Sequence, residues 1–169
     1  RGLLPSTLRR DHDGWFAFLE SEGDLTEAEH SVLQRHGKWL RWVETTAITK
    51  SYKMVVLRVL IDGDALLAGQ HLLEHAAKAR AYMLAHPNLR DDLRPTKEVP
   101  DHAAASIQEW AAWWQRWPIE HSEDWLSTDG GRIVNRLQVE DSIAPALVAM
   151  TSELVDWRLG KYVARRLQP

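Results

Sequence analysis

The sequence predicts a mainly α-helical fold with one β-hairpin. Apolar residues recur at helical spacing along most of the 169 residues. Ser, Thr or Asp stands where several of these apolar stripes begin, as is typical of helix N-caps. Alternation of the kind found in strands occurs around the glycine pair at 130–131. A helix pair combined with a hairpin also fits a winged-helix-like arrangement.

The first part of the chain is predicted to form helices separated by short turns. A short helix is expected at about 13–20, and Gly23 ends it. Asp24 or Thr26 can cap the next helix, because each has a Glu three residues later. The apolar stripe of this helix continues to about residue 44.

A helix-turn-helix pair is predicted next. Ser51 can cap its first helix, whose body at 54–61 is apolar at seven of eight positions. A buried strand would have the same composition. The cap, together with a second helix at about 69–85 across the turn at 62–64, favours the helix.

The segment 87–100 contains three prolines among charged residues and is predicted to be a connector. It divides the chain into an N-terminal helical subdomain at 1–86 and a C-terminal part at 101–169. In the C-terminal part, Asp101 is expected to cap a tryptophan-rich helix that ends at Pro118.

The predicted hairpin follows this helix. Its strands are expected at 125–128 and 132–139, with the turn at 129–131. The last helix runs from about 142 to 166, and Pro145 is tolerated in its first turn because the amide there would lack a partner.

The composition excludes several classes of protein. The absence of cysteine excludes disulfides, thiolate zinc sites and a cysteine nucleophile. No apolar run is long enough to cross a membrane and no signal peptide opens the chain, so we expect a cytoplasmic protein without a membrane partner. The formal charge of −3 excludes a uniformly basic nucleic-acid binder, so such binding would need a local basic patch. The first residue is Arg1 rather than Met, which predicts a segment of a longer polypeptide.

The sequence carries no motif for nucleotide or cofactor chemistry. It lacks the phosphate loop with its lysine, the dinucleotide-binding glycine pattern and the nucleophile elbow of hydrolases. We therefore expect no catalytic residue, no cofactor and no enzymatic activity in this chain.

One formal motif keeps an enzymatic alternative open. His71, Glu74 and His75 follow the order of inverted zinc peptidases, in which two histidines on one helical face bind Zn²⁺ and the glutamate acts on the bound water. A helical zinc hydrolase is the most remote alternative, because a five-residue pattern with two free positions arises easily in a chain with eight histidines. The simpler interpretation is a solvated helix with histidines beside core leucines, and we predict no metal ligands.

Positive charge is concentrated between residues 31 and 61, where six Lys or Arg residues accompany one Glu. At 49–53, two hydroxyls, a phenol and two ammonium groups stand at a predicted helix start, where free backbone amides attract phosphate. The alternative is a solvated helix end on which Ser51 only caps and the lysines are only exposed.

The charges of the predicted wing extend this set. The predicted nucleic-acid-binding residues are Arg35, Lys38, Arg41, Lys50, Ser51, Tyr52, Lys53, Arg132 and Arg136. A nucleic-acid binder should present the first five Lys and Arg residues of this set on one exposed face, whereas a scaffold would scatter them.

The chain contains nine tryptophans, four of them within 110–117. Such residues can stack on single-stranded bases. Their helical spacing and the scarcity of interleaved cations favour a core or an interface instead. Trp113 and Trp117 are expected to be the more exposed pair.

Several stretches together resemble a known family. These stretches are LRRD at 8–11, WFAFL at 15–19, GDL at 23–25, VETT at 43–46, TKSYKMVVL at 49–57 and ELVDWRL at 153–159, with Tyr162 and Arg165. With them, the sequence is similar to the region that follows the motor in bacterial superfamily II helicases of the DEAD/DEAH type, which include restriction-enzyme helicase subunits and members with a phospholipase-D-like nuclease domain.

This resemblance implies an accessory domain attached to a DNA translocase. The ATP-binding and hydrolysis motifs of the family belong to the motor, and no residue of this chain matches them. The implied function is nucleic-acid binding or docking on the motor domain of the parent polypeptide, in a bacterial restriction or defence setting. A purely structural protein-interaction domain is the alternative.

Overall fold

Helices make up most of the computed structural model, which describes residues 5–122 and 125–167. A small antiparallel sheet that includes a β-hairpin accompanies them, so the predicted fold class is confirmed. Arg1, on which the expectation of a longer polypeptide rests, lies outside the described residues.

The chain divides into two compact units. Their boundaries differ from the predicted division at 87–100, because that segment lies inside the second unit. Leu89, Asp92 and Val99 are all buried there, so the prolines interrupt the helices without separating two domains. Within the described residues, the first unit comprises 5–46 and 139–154, and the second unit comprises 47–138 and 155–167.

All regular elements in the described part of the first unit are helices. Its elements are α1 (Pro5–Asp11), α2 (Trp15–Glu22), α3 (Glu27–Thr45) and the beginning of α8 (Ala144–Leu167). Thr26, one of the two predicted caps of α3, forms a capping box: its hydroxyl accepts from the Glu29 amide and the Glu29 carboxylate accepts from the Thr26 amide. The backbone of α3 leaves helical geometry at His36, beside Gly37, where a glycine weakens the helix.

The core of the first unit contains two buried polar interactions. The Trp39 indole donates to the Thr151 hydroxyl over 2.9 Å between nitrogen and oxygen. Arg9 and Glu44 form an ion pair with little solvent contact, and the Glu44 carboxylate also accepts from the Trp15 amide at the start of α2. These partners satisfy polar groups that would otherwise destabilise the core.

The second unit contains both helices of the predicted pair, but residues 63–71, which include a short strand, join them instead of a turn at 62–64. The segment 54–61 is helical, as predicted, because it belongs to α4 (Tyr52–Asp62), which is buried on nearly all sides. Its partner α5 (Leu72–Ala85) begins three residues later than predicted. The remaining helices of this unit are α6 (Pro87–Arg90), α7 (Ile107–Trp114), a π-helical turn (Gln115–Ile119) that includes Pro118, and the end of α8.

Two predicted helix caps are wrong. Ser51 stands before α4, but its side chain makes no capping hydrogen bond and donates instead to the buried Asp92 carboxylate. Asp101 accepts from two nearby backbone amides well before α7 begins, and Ser106 caps that helix in a capping box with Glu109. In this capping box the Ser106 hydroxyl accepts from the Glu109 amide and the Glu109 carboxylate accepts from the Ser106 amide.

The sheet of the second unit has three antiparallel strands in the order β1-β3-β2. The predicted hairpin is formed by β2 (Leu126–Asp129) and β3 (Arg132–Asn135). Its partner β1 (Gln70–His71) directly precedes α5 and was not predicted, since two residues are too few to show alternation. The hairpin therefore lies beside the helix pair, which is compatible with the winged-helix-like arrangement.

A close approach of two backbone segments fixes the beginning of β1. Gly69 has a φ of +74°, and a Cβ at this position would lie 2.5 Å from the carbonyl oxygen of Ile133. Only glycine combines this left-handed conformation with the absence of a side chain.

The predicted last helix is present as α8, with Pro145 in its first turn. This helix of 24 residues carries charged side chains along its length. Within the described parts of the chain, no helix is long and apolar enough to cross a membrane.

Candidate functional site

The second unit contains a cavity of about 770 Å³ that opens to solvent. Three parts of the chain form its wall: the segment leading into α4, the segment at 96–98 and the end of the tryptophan-rich helix. Its lining residues are Ala47, Thr49, Lys50, Tyr52, Lys53, Thr96, Lys97, Glu98, Trp113, Trp117, Pro118 and His121.

The cavity brings together several residues that the sequence predicts to bind nucleic acid. Lys50, Tyr52 and Lys53 all line it, together with Thr49 of the same segment. Ser51 does not line it, because its side chain is fully buried and points to Asp92. The predicted phosphate clamp at 49–53 is therefore part of a concave wall.

Lys50 is held in place by two hydrogen bonds. Its Nζ donates to the Tyr52 hydroxyl and to the Asp92 carbonyl oxygen, each over 3.1 Å. An ammonium group has three N–H donors, so one remains available for a ligand in the cavity.

Asp92 organises the segment that enters α4. This buried carboxylate accepts from the Ser51 amide and hydroxyl, over 2.8 and 2.7 Å, and from the Tyr162 hydroxyl over 2.6 Å. Arg166 donates to it as well, over 2.5 Å. Four donors around one carboxylate compensate for its burial and fix the path of the chain at Ser51.

The Tyr52 phenol stays protonated at neutral pH. Burial raises the pKa of Tyr52, and the negative charge of Asp92 raises it further. The hydroxyl donates to the Asp92 carbonyl oxygen over 2.6 Å. It thus serves as a neutral acceptor for Lys50 rather than as an acid or a base.

Trp117 is the exposed aromatic residue of the cavity wall. It exposes 43% of its surface, whereas Trp110, Trp113 and Trp114 are buried. The prediction is therefore confirmed for Trp117 and wrong for Trp113, because the rings of Tyr52 and His102 pack against the Trp113 indole at 5.3 and 4.6 Å between centroids.

Contacts with neighbouring side chains orient the Trp117 indole. Its Nε1 donates to Glu98 over 2.9 Å, and the His121 ring stacks on it with 5.4 Å between centroids and 25° between planes. Glu98 also forms an ion pair of 2.8 Å with Arg116, whose guanidinium lies over the indole at 5.4 Å.

The sequence interpretation missed the second side of the cavity. Thr96, Lys97 and Glu98 belong to the segment that was interpreted as a connector. Lys97 adds a third ammonium group, which the charge count over 31–61 does not include. Only the buried apolar residues beside the prolines, such as Val99, signal that this segment belongs to a packed structure.

The remaining predicted cations lie elsewhere. Arg35, Lys38 and Arg41 belong to α3 in the first unit, where Arg35 pairs with Glu140 and Arg41 pairs with Asp13. Lys38 is exposed.

The two cations of the predicted wing do not line the cavity either. Arg132 donates to the Gly69 carbonyl oxygen over 3.1 Å, and Arg136 is exposed after the end of β3. The predicted set is thus divided between the two units, and of the five Lys and Arg residues expected on one exposed face only Lys50 and Lys53 line the cavity.

The three residues of the formal zinc-peptidase motif do not lie together as a set of metal ligands. His71 is in β1, so it is not on the helical face of His75. The His75 side chain is buried, its Nδ1 donates to Gln70, and burial lowers its pKa to about 3. Glu74 pairs with Lys78 over 2.6 Å. No group of three His, Cys, Asp or Glu side chains suited to a metal ion occurs among the described residues.

The fold and the cavity define a mainly α-helical protein with a concave site of lysines and aromatic rings. Comparisons with known protein families, with curated proteins and with solved structures found no match.

Proposed function

We propose that this chain is an accessory domain of a bacterial superfamily II helicase, and that the cavity of its second unit binds the sugar–phosphate backbone of nucleic acid. The observation that carries the proposal is the convergence of Lys50, Lys53 and Lys97 on one cavity. Because the chain has a net charge of −3, phosphate binding requires a local cluster of positive charge, and the three lysines provide one.

The single acidic side chain in the lining does not cancel this cluster. Both Glu98 carboxylate oxygens are already occupied, one by Arg116 and one by the Trp117 indole. Lys50, Lys53 and Lys97 therefore line the cavity together with Thr49 and Thr96. Ammonium and hydroxyl groups are the usual partners of phosphate oxygens, and they act without regard to base sequence.

The proposal includes fewer nucleic-acid-binding residues than the sequence predicts. Arg35 and Arg41 each form an ion pair with a carboxylate, so a phosphate would have to compete for them. Because these residues belong to the first unit, they do not contribute to the cavity. We assign phosphate binding to the three lysines of the second unit.

The resemblance to the region following a helicase motor supports the biological setting. A domain tethered to a motor needs only weak affinity, because the tether raises its effective concentration. In this setting the domain would hold the nucleic acid near the motor in the bacterial cytoplasm, as part of a restriction or defence enzyme.

Docking on the motor domain, or a purely structural role, is the second candidate. The exposed Trp117 favours it, since tryptophan is enriched at the centres of protein interfaces. A protein interface of this kind would not require the three lysines.

The salt dependence of binding separates the two functions. Each phosphate contact on single strands contributes about 0.7 to the slope of log affinity against log salt, so three lysines give a slope of about −2. The Lys53→Gln, Lys97→Gln double variant should reduce the slope to about −0.7. Fluorescence anisotropy with a labelled oligonucleotide measures both slopes.

The matched control is the Lys78→Gln, Lys161→Gln double variant. It removes the same charge from the same unit but leaves the cavity lining intact. It should keep the slope of about −2. Absence of binding at low salt, or an equal effect of both double variants, would leave docking as the better function.

A further inference from the structure

We infer that the cavity selects an unpaired nucleotide of a single strand, whose base stacks on the Trp117 and His121 rings. This inference rests on the proposed function, because it names the form of nucleic acid that the same site takes. The two rings stack on each other and both line the cavity, while the three lysines line it as well.

Trp117 is a preorganised stacking surface. The hydrogen bond from its indole to Glu98 fixes the plane of the ring, and the His121 imidazole stacks on it. The guanidinium of the exposed Arg116 also lies over the indole, so the incoming base takes the place of this cation. Trp110, Trp113 and Trp114 are buried, whereas Trp117 exposes 43% of its surface. Core packing therefore does not explain why a tryptophan stands at position 117. Stacking on aromatic rings is tolerant of base identity, since every base has a π face.

The dimensions of the cavity favour one unpaired nucleotide over a duplex. A volume of about 770 Å³ lies in the range of sites that enclose a small ligand. In a duplex the bases are stacked and paired inside the helix, so a base must leave the stack before it can enter such a site.

Two helices of the second unit, α5 and α7, offer little for reading a duplex. On α5, Lys78 pairs with Glu74 and Arg80 donates to the Ala105 carbonyl oxygen. The exposed side chains at the start of α7 are Gln108 and Glu109. Neither helix presents a row of cations of the kind that contacts the phosphates on both sides of a groove.

The test compares a deoxythymidine oligonucleotide of about ten nucleotides with an abasic oligonucleotide of the same length. Both carry the same phosphate charge, so only the bases differ. The thymidine strand should bind about 5- to 100-fold more tightly to the unmodified protein. Equal affinities would overturn the inference and leave the proposed function intact, whereas absence of binding to both strands would overturn the proposed function.

Three variants assign the effect to the ring. Trp117→Ala should reduce thymidine affinity to the abasic level, and Trp117→Phe should retain most of the difference between the two strands because it keeps an aromatic face. Both variants remove the hydrogen bond to Glu98, so the comparison between them isolates the stacking face. Leu73→Ala is the control, since it truncates another exposed apolar residue of the same unit outside the cavity. Equal thymidine binding by Trp117→Ala and Leu73→Ala would overturn the inference.

Two competitors delimit the ligand. A duplex of the same length should bind more weakly than the single strand, and free thymidine monophosphate should compete only weakly because it offers a single phosphate group to the three lysines. A duplex that binds as tightly as the single strand would overturn the selection of unpaired nucleotides. A monophosphate that binds as tightly as the strand would identify a mononucleotide site instead.

Discussion

Asp92 is expected to be the most sensitive position of the second unit. Its carboxylate is 1% exposed and accepts hydrogen bonds from Ser51, Tyr162 and Arg166. Asp92→Asn preserves the size of the side chain but replaces one acceptor oxygen with a donor NH₂ group. The substitution therefore removes an acceptor without creating a cavity.

The expected loss of stability follows from the donors that each oxygen of the Asp92 carboxylate accepts from. One carboxylate oxygen serves both Ser51 groups and the other serves Arg166, so either orientation of the amide leaves a donor facing a donor. A buried polar group without its partner costs about 1–3 kcal/mol, and two such groups give a loss of about 2–6 kcal/mol in the free energy of unfolding. For a chain of this size, that loss lowers Tm by about 4–24 °C.

Thermal unfolding followed by circular dichroism measures this loss, and Asp91→Asn provides the control. Asp91 is the exposed neighbour of Asp92, and its substitution should change stability by less than about 0.5 kcal/mol. A Tm for Asp92→Asn within about 2 °C of the control would refute the assigned role of the carboxylate.

A double-mutant cycle tests the hydrogen bond with Tyr162 directly. Tyr162→Phe removes a hydrogen bond to a charged acceptor, which costs about 1.5–3 kcal/mol in the parent protein. The same substitution should cost less in the Asp92→Asn background, because the charged acceptor is gone. Additive losses would show that the two side chains do not interact.

Three further expectations concern stability. Gly69→Ala should destabilise the protein by at least about 1–3 kcal/mol. The loss should exceed that of Gly130→Ala, because both positions have positive φ but only a Cβ at Gly69 would clash with backbone atoms. Equal losses of the two variants in urea titrations would contradict this. Thr151→Val should cost about 1–3 kcal/mol by leaving the buried Trp39 indole without its acceptor, and an unchanged urea midpoint would contradict it. Burial lowers the pKa of His75 to about 3 in the folded protein. As the pH falls below about 6.5, the His75 imidazole therefore takes up a proton in the unfolded state but not in the folded state. The free energy of unfolding decreases by about 2 kcal/mol between about pH 7 and pH 5 as a result. His75→Gln should lack this part of the pH dependence, and identical pH profiles would show that the imidazole is not protonated on unfolding.

Local patterns were sufficient to predict much of the secondary structure. The helix at 54–61 and a hairpin around the glycine pair at 130–131 are present where the sequence places them. The hairpin differs in its bounds, because Asp129 pairs within β2 and the second strand ends at Asn135 rather than at 139. These features depend on residues within a few positions of each other, so the necessary interactions are visible in the sequence itself. The fold class followed from the same local signals.

Part of the candidate site could be predicted for the same reason. The hydroxyls and ammonium groups of 49–53 are adjacent in sequence, and their position before a helix indicated a phosphate site. The pattern could not show that Ser51 turns away from this site, because the group that attracts its hydroxyl is the buried carboxylate of Asp92, 41 residues further along the chain.

The sequence by itself determined that most of the chain is helical and that a hairpin forms around the glycine pair at 130–131, because apolar periodicity and glycine turns act between near neighbours. Only the tertiary structure decided which side chains share the cavity. Lys53, Lys97 and Trp117 come from three separate segments, and they meet because buried residues such as Val99 tie the proline-rich segment to the core. Packing between distant segments depends on the whole core, so no local pattern records the site that it creates.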